Sequence, residues 1–321
     1  MNNKPFKIDL VVPYVDNTDP IWRNVFNKYN NEIKTATDTA NRFRANTNFF
    51  RLFFRCVERN MSWIDNIFLL VSTESQVPNW LNKQKVKIIT HTDFIPTTFL
   101  PTFNSGTIEM FLHNIPGLSE HFIYANDDFF MIKPCTYLDF FTEDGSKCKF
   151  NYLYDTDYSK NMWRQMCRNN HDVIFNTHNV ERFMRLDHEF RPYLKSKMAA
   201  CFLEHKTAIE NSISRFRASK NLTCFLFSLD LVKKKYQLPT NLKFGYLCDT
   251  SRKMSIKTNL TKDQIVLNDT DKNQIWSNPL IINFFKANFD AVSKYELTKW
   301  HLPKPQLDIR ADGKPNTYLY F

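Results

Sequence analysis

The sequence predicts an α/β protein built on a mostly parallel sheet, with a largely helical second part packed against it. Three observations lead there. Apolar runs of strand length recur through the first half of the chain, segments with helical spacing lie between them, and from about residue 150 helical spacing takes over. The expected organisation is an α/β core over 1–150 and a second part over 151–321 that completes its cleft, the two forming one integrated domain.

The strand candidates are "KIDLVVPYV" (7–15), "IDNIFLLVS" (64–72), "KVKIIT" (85–90) and "HFIYAND" (121–127). Each has the length and the β-branched or aromatic content of an interior strand. "TNFFRLFFRCVERN" (47–60) places Phe50, Phe53, Phe54 and Val57 on one helical face. "SGTIEMFLHNIP" (105–116) reads as a helix with Ser105 as its N-cap, ending before Pro116. In the second half "NMWRQMCRNN" (161–170) and "NPLIINFFKANF" (278–289) read as helices, and "CFLFSL" (224–229) as a short strand. Ligands of open α/β sheets bind beyond the carboxyl ends of the strands. Asp16 and the pair Asp127–Asp128 fall at such ends.

Composition narrows the chemistry. A formal net charge of +10 over 321 residues favours anionic partners. Seven cysteines without a CxxC spacing make zinc knuckles and redox pairs poor readings, and a reducing cytoplasm fits them. The N-terminal apolar run is too short for a signal peptide, and no stretch approaches the ~20 apolar residues that span a bilayer. A cytoplasmic protein is expected, with contact at a membrane surface as the outer limit. Five glycines leave no GxGxxG and no Walker loop, and GxSxG and HExxH are also absent. Any phosphate must then be held by side chains, helix starts or a metal.

Several residues suit that task, each with a plainer explanation beside it. Adjacent Asp127 and Asp128 suit Mg²⁺ or Mn²⁺ bridged to a diphosphate, or simply a strand-end turn. Asp16 in "YVDNTDP" (14–20) faces a ligand, or belongs to a turn that starts a helix at Pro20. Asn104 and Ser105 open a helix toward phosphate, or form an ordinary cap. His178 in "NTHNVERF" (176–183) is a candidate base or a structural histidine. Arg217 in "SRFRASKN" (214–221) offers forked donors to phosphate, or lies on a solvated face. Asn268 and Asp269 repeat the motif of an apolar run ending in Asn-Asp.

In their order these pieces resemble the Stealth family of hexose-1-phosphate transferases. "IDLVVPYVDNTDPIW" (8–22) is similar to its first region, and the block from Arg55 to Phe130, ending "HFIYANDDFF", to its second. Residues 177–221 resemble the third, and "IVLNDTDKNQIW" (265–276) opens a match to the fourth. The first region reads Pro13-Tyr14 where the family often has Thr-Trp, and Asn17 where glycine is usual.

The resemblance implies a Rossmann-like, glycosyltransferase-A-like fold whose 1–150 core binds a nucleotide sugar. It implies transfer of a sugar-1-phosphate from a nucleotide sugar, a UDP-sugar first among them, to a hydroxyl of a capsule or other surface glycan. A nucleoside monophosphate leaves. Carried over by motif, Asp16, His178, Arg217 and Asp128 are the catalytic set, and Asn104, Arg44, Asn268 and Asp269 contact substrate. Asp127 and Asp128 hold Mg²⁺ or Mn²⁺. The implied partners are a nucleotide-sugar donor and a glycan acceptor, with peripheral contact at the inner membrane or the capsule-assembly machinery and no nucleic acid. The rival enzyme is a metal-dependent glycosyltransferase, which would release a nucleoside diphosphate. The rival binder is a basic protein that holds nucleic acid or an acidic glycan.

Overall fold

Four apolar runs of the first half become neighbouring strands of one sheet. In the computed structural model, which describes residues 4–32, 48–156, 161–177, 181–247, 253–268 and 275–302, β1 (Ile8–Pro13) leads through α1 (Pro20–Tyr29) and α2 (Phe50–Asn60) into β2 (Asn66–Val71). Then follow β3 (Lys87–Thr90), α3 (Ser105–Met110), β4 (His121–Tyr124) and β5 (Phe129–Met131). β1 pairs in parallel with β2 and with β4, and β2 with β3. Parallel interior strands are covered on both faces and therefore read as unbroken apolar runs. Leu10, Val11, Val12, Phe68, Leu69 and Leu70 are accordingly closed off from solvent.

The second half is woven into the first. After the short β6 (Cys148–Lys149), the hairpin-like pair β7 (Leu153–Asp155) and β8 (Phe183–Arg185) flanks α4 (Met162–Phe175). β9 (Arg191–Leu194) joins the main sheet antiparallel to β4, giving the order β3-β2-β1-β4-β9. Helices α5 (Lys195–Glu204), α6 (Lys206–Ser212) and α7 (Phe225–Lys233) follow. "CFLFSL" is therefore helical, the start of α7, and not a strand. Residues Phe225 to Leu231 are all buried, so no polar stripe marks the helix in the sequence.

A second small sheet completes the architecture. β10 (Gln237–Leu238) pairs with β6; β11 (Phe244–Leu247) runs parallel to β12 (Gln264–Leu267), across α8 (Lys253–Asn259), and α9 (Pro279–Phe289) closes the described chain. β12 pairs antiparallel with β5, giving the order β11-β12-β5. Asn259 at the end of α8 accepts the Tyr246 N–H at 3.1 Å. A Cβ on Gly245 would approach that same amide oxygen to 2.6 Å, which is why a glycine stands there.

Candidate functional site

The crevice at the carboxyl ends of β1 and β4 gathers the acidic groups. β1 continues past Pro13 as extended chain, with the Tyr14 N–H donating to Leu70 O at 2.9 Å. The next turn is pinned by Gln76, itself buried. Its Oε1 accepts the Asp16 N–H at 2.9 Å, and its Nε2 donates to Asp16 O at 2.8 Å and to Asp19 Oδ2 at 3.0 Å. Asp19 caps α1 through the Ile21 and Trp22 N–H groups. Burial pulls its carboxyl upward, but bonds from Gln76, Ser75 and these amides hold it below the usual range. Asp16 Oδ1 accepts from the Thr18 N–H and hydroxyl at 2.8 and 2.6 Å. Both features of "DNTDP" are thus present: a capped turn, and a half-buried carboxylate at its mouth.

β4 ends one residue before the acid pair's turn. The Ala125 N–H still donates to Val11 O at 3.0 Å, and the Phe129 N–H closes the turn on Asn126 O at 3.1 Å. Asn126, Asp127 and Asp128 therefore make the bend by which the chain leaves the main sheet for the small one. The charge of Asp127 reaches the Tyr14 hydroxyl, which sets the two near one another at this end of the sheet. Asp128 Oδ1 is buried and has no hydrogen-bond partner. Burial raises both carboxyls, Asp127 to about 6 and Asp128, with the charge of Asp127 added, to about 8. An orphaned carboxylate oxygen beside a second raised acid is the donor set a hard divalent cation takes. The pair fits Mg²⁺ or Mn²⁺.

The Tyr14 hydroxyl shares this space. It is buried without a hydrogen-bond partner, and its ring stacks on Phe50 at 4.6 Å. Burial lifts its pKa well above the ordinary phenol range, with the charges of Asp16 and Asp127 adding to the effect. An unpartnered buried hydroxyl costs the empty protein stability. Tyr14→Phe is expected to leave stability in urea unchanged or raise it by up to about 1 kcal/mol. A loss of that size would show that the hydroxyl is paired.

From the second half, β12 brings Asn268 to the acids. The Leu267 N–H donates to Asp128 O at 3.0 Å, one residue beyond the last β5–β12 pair, Val266 with Phe129, and so carries Asn268 to the turn. The Asn268 N–H donates to Leu247 O at 2.9 Å, and its Nδ2 to the Tyr246 hydroxyl at 2.7 Å. Arg217 arrives from another direction. Its Nη2 donates to Ser105 Oγ at 2.9 Å, at the start of α3. Glu109, one turn further along α3, accepts from the Tyr124 hydroxyl at the end of β4 at 3.1 Å. Ser105 and Arg217 therefore lie on the same carboxyl-end side as the acids.

Asn104 has a different role from the one expected. It, and not Ser105, is the N-cap of α3, accepting the Gly106 N–H at 3.1 Å. Its side chain is fully buried, and its Nδ2 donates to Ser214 O at 3.2 Å and Asn221 Oδ1 at 3.0 Å. It ties the loop before α3 to the loop that carries Arg217, so it positions the wall and leaves no group for substrate. His178, Arg44 and Asp269 lie outside the described residues.

One imidazole the sequence did not single out lies at the same end of the sheet as the pair, three residues before Arg191, which pairs with Tyr124. His188 precedes β9, and its ring lies 6.4 Å from that of Phe129, the residue after Asp128. It also lies 4.3 Å from Trp163 and 6.0 Å from Tyr246. Burial, with Arg191 second, lowers its pKa to about 4, so the ring is neutral at pH 7. The only sequence signal was a histidine between two acids, Asp187 and Glu189, just before a strand. Elsewhere among the described residues, Cys201, His205 and Asp230 bring potential metal-ligand atoms within 4.8 Å of one another. Lys234 Nζ stands 2.9 Å from Asp230 Oδ1 and already neutralises that carboxylate.

The family description "Stealth protein CR2, conserved region 2" matches residues 42–149, which include the Asp127–Asp128 turn. Over 143 residues, 43% of this chain, it is 39% identical to the capsular polysaccharide phosphotransferase WcwK of Streptococcus pneumoniae. That match spans 42% of the relative's own length. The receptor polysaccharide phosphotransferase WefC of Streptococcus gordonii is 31% identical over 277 residues, 75% of this chain and 82% of the relative. The capsular polysaccharide phosphotransferase LcbA of Aeromonas hydrophila is 32% identical over 243 residues, 70% of this chain and 65% of the relative. The likeness to WefC runs from one half of the chain into the other, so the chain belongs to the Stealth protein family.

Proposed function

We propose that this protein is a hexose-1-phosphate transferase of surface-glycan synthesis. It takes a sugar-1-phosphate from a nucleotide sugar, a UDP-sugar first among the candidates, and joins it to an acceptor hydroxyl, releasing a nucleoside monophosphate. The observation that carries the reading is the pair of raised carboxyls, Asp127 and Asp128, in the turn that follows a parallel strand, with the neutral imidazole of His188 at the same end, three residues before Arg191, the partner of Tyr124. The names of the relatives support it, all three being polysaccharide phosphotransferases. The strand order and the acidic turn after β4 favour a glycosyltransferase-A-like donor site.

The residues divide the work by chemical type. The acceptor oxygen attacks the phosphorus attached to the sugar, and its proton passes to a ring nitrogen of His188. The bond from that phosphorus to the nucleoside phosphate oxygen breaks, and the nucleotide leaves with the electron pair. Arg217 offsets the charge on the phosphate oxygens, and Asp16 and Asn268 orient the donor. Asp127 and Asp128 would hold Mg²⁺, which supplies charge neutralisation when bound. No helix among the described residues is long and apolar enough to cross a membrane. We place the reaction in the cytoplasm, with the basic chain peripheral at the inner face of the cell membrane.

Incubation with UDP-sugars, Mg²⁺ and acceptor, followed by mass analysis, is expected to show UMP and a phosphorus-bearing product. Release of UDP with a phosphorus-free product would make the protein a glycosyltransferase. His188→Ala is expected to lower turnover about 100-fold with donor binding retained. If His178→Ala does so and His188→Ala does not, the base is His178.

A further inference from the structure

The last turn of α5 faces α7 across a group of metal-ligand atoms that the transfer reaction does not use. The His205 N–H donates to Cys201 O at 3.0 Å, so the two side chains stand one helical turn apart on one face. α7 packs against α5 and supplies Asp230. A thiol sulfur, an imidazole nitrogen and a carboxylate oxygen come within 4.8 Å of one another there, and Cys201 and Asp230 are buried. His205 Nε2 is buried without a hydrogen-bond partner, an uncommon state for a ring nitrogen. A fourth donor is at hand, since Glu204 Oε1 lies 3.7 Å from that nitrogen. Lys234, four residues after Asp230, places its ammonium 2.9 Å from Asp230 Oδ1 and bonds Glu204 Oε2 as well. The cluster thus already holds one cation between its two carboxylates.

The donor types select the metal. Thiolate, imidazole and carboxylate together suit zinc, whereas Mg²⁺ takes oxygen ligands. We propose that Cys201, His205 and Asp230, with Glu204 as the fourth ligand, form a zinc site that joins α5 to α7, and that Lys234 holds its place while no metal is bound. A tetrahedral zinc ion spaces its ligand atoms about 3.5 Å apart, so small side-chain rotations bring the cluster to size. Binding is then an exchange of cations. The Cys201 S–H bond breaks, the proton goes to water, and the sulfur keeps the electron pair and donates it to zinc. Lys234, whose side chain is 33% exposed, swings into solvent. One proton and one ammonium leave as a dication arrives, so the net charge of the cluster is unchanged. Burial and the charge of Asp230 raise the pKa of the Cys201 thiol, so zinc affinity climbs with pH. With all four places filled by protein the ion fastens two helices and has no open position for a substrate.

Cobalt reports such a site by its absorption. Co²⁺ added to the reduced, untagged full chain in excess Mg²⁺ is expected to give a thiolate-to-cobalt charge-transfer band and the intense visible bands of tetrahedral cobalt, both bleached by Zn²⁺. The excess Mg²⁺ keeps the Asp127–Asp128 pair out of the measurement. Cys201→Ser is expected to lose the charge-transfer band, and His205→Ala to weaken Zn²⁺ binding about 100-fold in competition with a chelator of known affinity. Zn²⁺ should raise the melting temperature of the wild type and not that of Cys201→Ser. Lys234→Gln removes the competing ammonium and should tighten Zn²⁺ binding about threefold to tenfold. A lysine outside a metal site would leave that affinity unmoved. Lys234 is partly exposed, so this variant keeps the test open even where a buried one fails to fold. The site is overturned if no charge-transfer band appears, if the band survives in Cys201→Ser, or if Lys234→Gln leaves the affinity at the wild-type value or weakens it.

Discussion

Asp128→Asn is expected to lower transfer on the order of 1,000-fold while leaving the fold intact and, in alkaline buffer, more stable than wild type. The two halves of that result have one cause. Asp128 Oδ1 is buried without a partner, and both carboxyls of the pair are raised above their ordinary values by burial. A raised folded-state pKa contributes stability that is complete below the unfolded value near 4 and is lost as pH rises through the folded value. For this pair the loss falls between about pH 4 and pH 8, as Asp127 titrates near 6 and Asp128 near 8. The melting temperature of the protein in chelator should therefore decline across that window. Asparagine at 128 removes the repulsion and should flatten the decline. Mg²⁺ should restore stability most at the alkaline end, where the carboxylates are charged and bind it, and should do less for Asp128→Asn. Wild-type melting that is flat with pH in chelator, or a variant that keeps full transfer, would take the acid pair out of the site.

Much of the framework behind that site is legible in the sequence, for physical reasons that also mark where legibility stops. β1, β2 and β4 announce themselves because strands covered on both faces must be apolar throughout, whereas β3, at the sheet edge, is half-exposed and is marked by its β-branched run. α7 is covered on all sides as well, so "CFLFSL" carries the same signal with the opposite outcome, and only its packing among other helices decides it. The cap of α3 shifts by one residue because Asn104 and Ser105 are both competent caps, and the buried bonds to Ser214 and Asn221 select Asn104. The acid pair was visible as two charges at the end of a buried run. The turn is present, closed by the Phe129 N–H on Asn126 O between β4 and β5. What no local pattern could supply is the antiparallel pairing of β12 with β5, which brings Leu267, next to Asn268, onto Asp128 O. His188 was equally hidden, because its neighbours Trp163, Phe129 and Tyr246 come from three separate segments.

The largest loss of stability is expected far from the acids, at Glu296. Its carboxylate has no solvent-exposed surface and receives Arg51 Nη1 at 3.0 Å, Arg55 Nε at 2.7 Å and Arg55 Nη2 at 2.8 Å. The Ser293 N–H and hydroxyl add two more bonds, each at 3.0 Å. Burial alone would raise this carboxyl; bonds from Arg55, Ser293 and Arg51 hold it below its usual value instead. The stability it contributes is thus complete at neutral pH and lost as pH falls below about 4. Both guanidiniums also donate to carbonyls of the segment from Phe289 to Trp300, Arg51 to Thr298 O and Arg55 to Phe289 O and Trp300 O. Glu296→Ala strands two buried cations and is expected to cost about 3–5 kcal/mol in urea unfolding. Replacing Arg51, Arg55 and Glu296 together with apolar residues of similar volume should cost much less, because no charge is then left buried alone. A cost below about 1 kcal/mol for the single variant would show that water reaches the cluster and screens it. The clasp also bears on the site. α2 carries Arg51 and Arg55, and its first residue, Phe50, is the ring on which Tyr14 stacks beside Asp127. Loosening the clasp should therefore raise the donor KM of Glu296→Ala although no group of the cluster touches substrate, and stabilising osmolyte should recover that KM along with the fold.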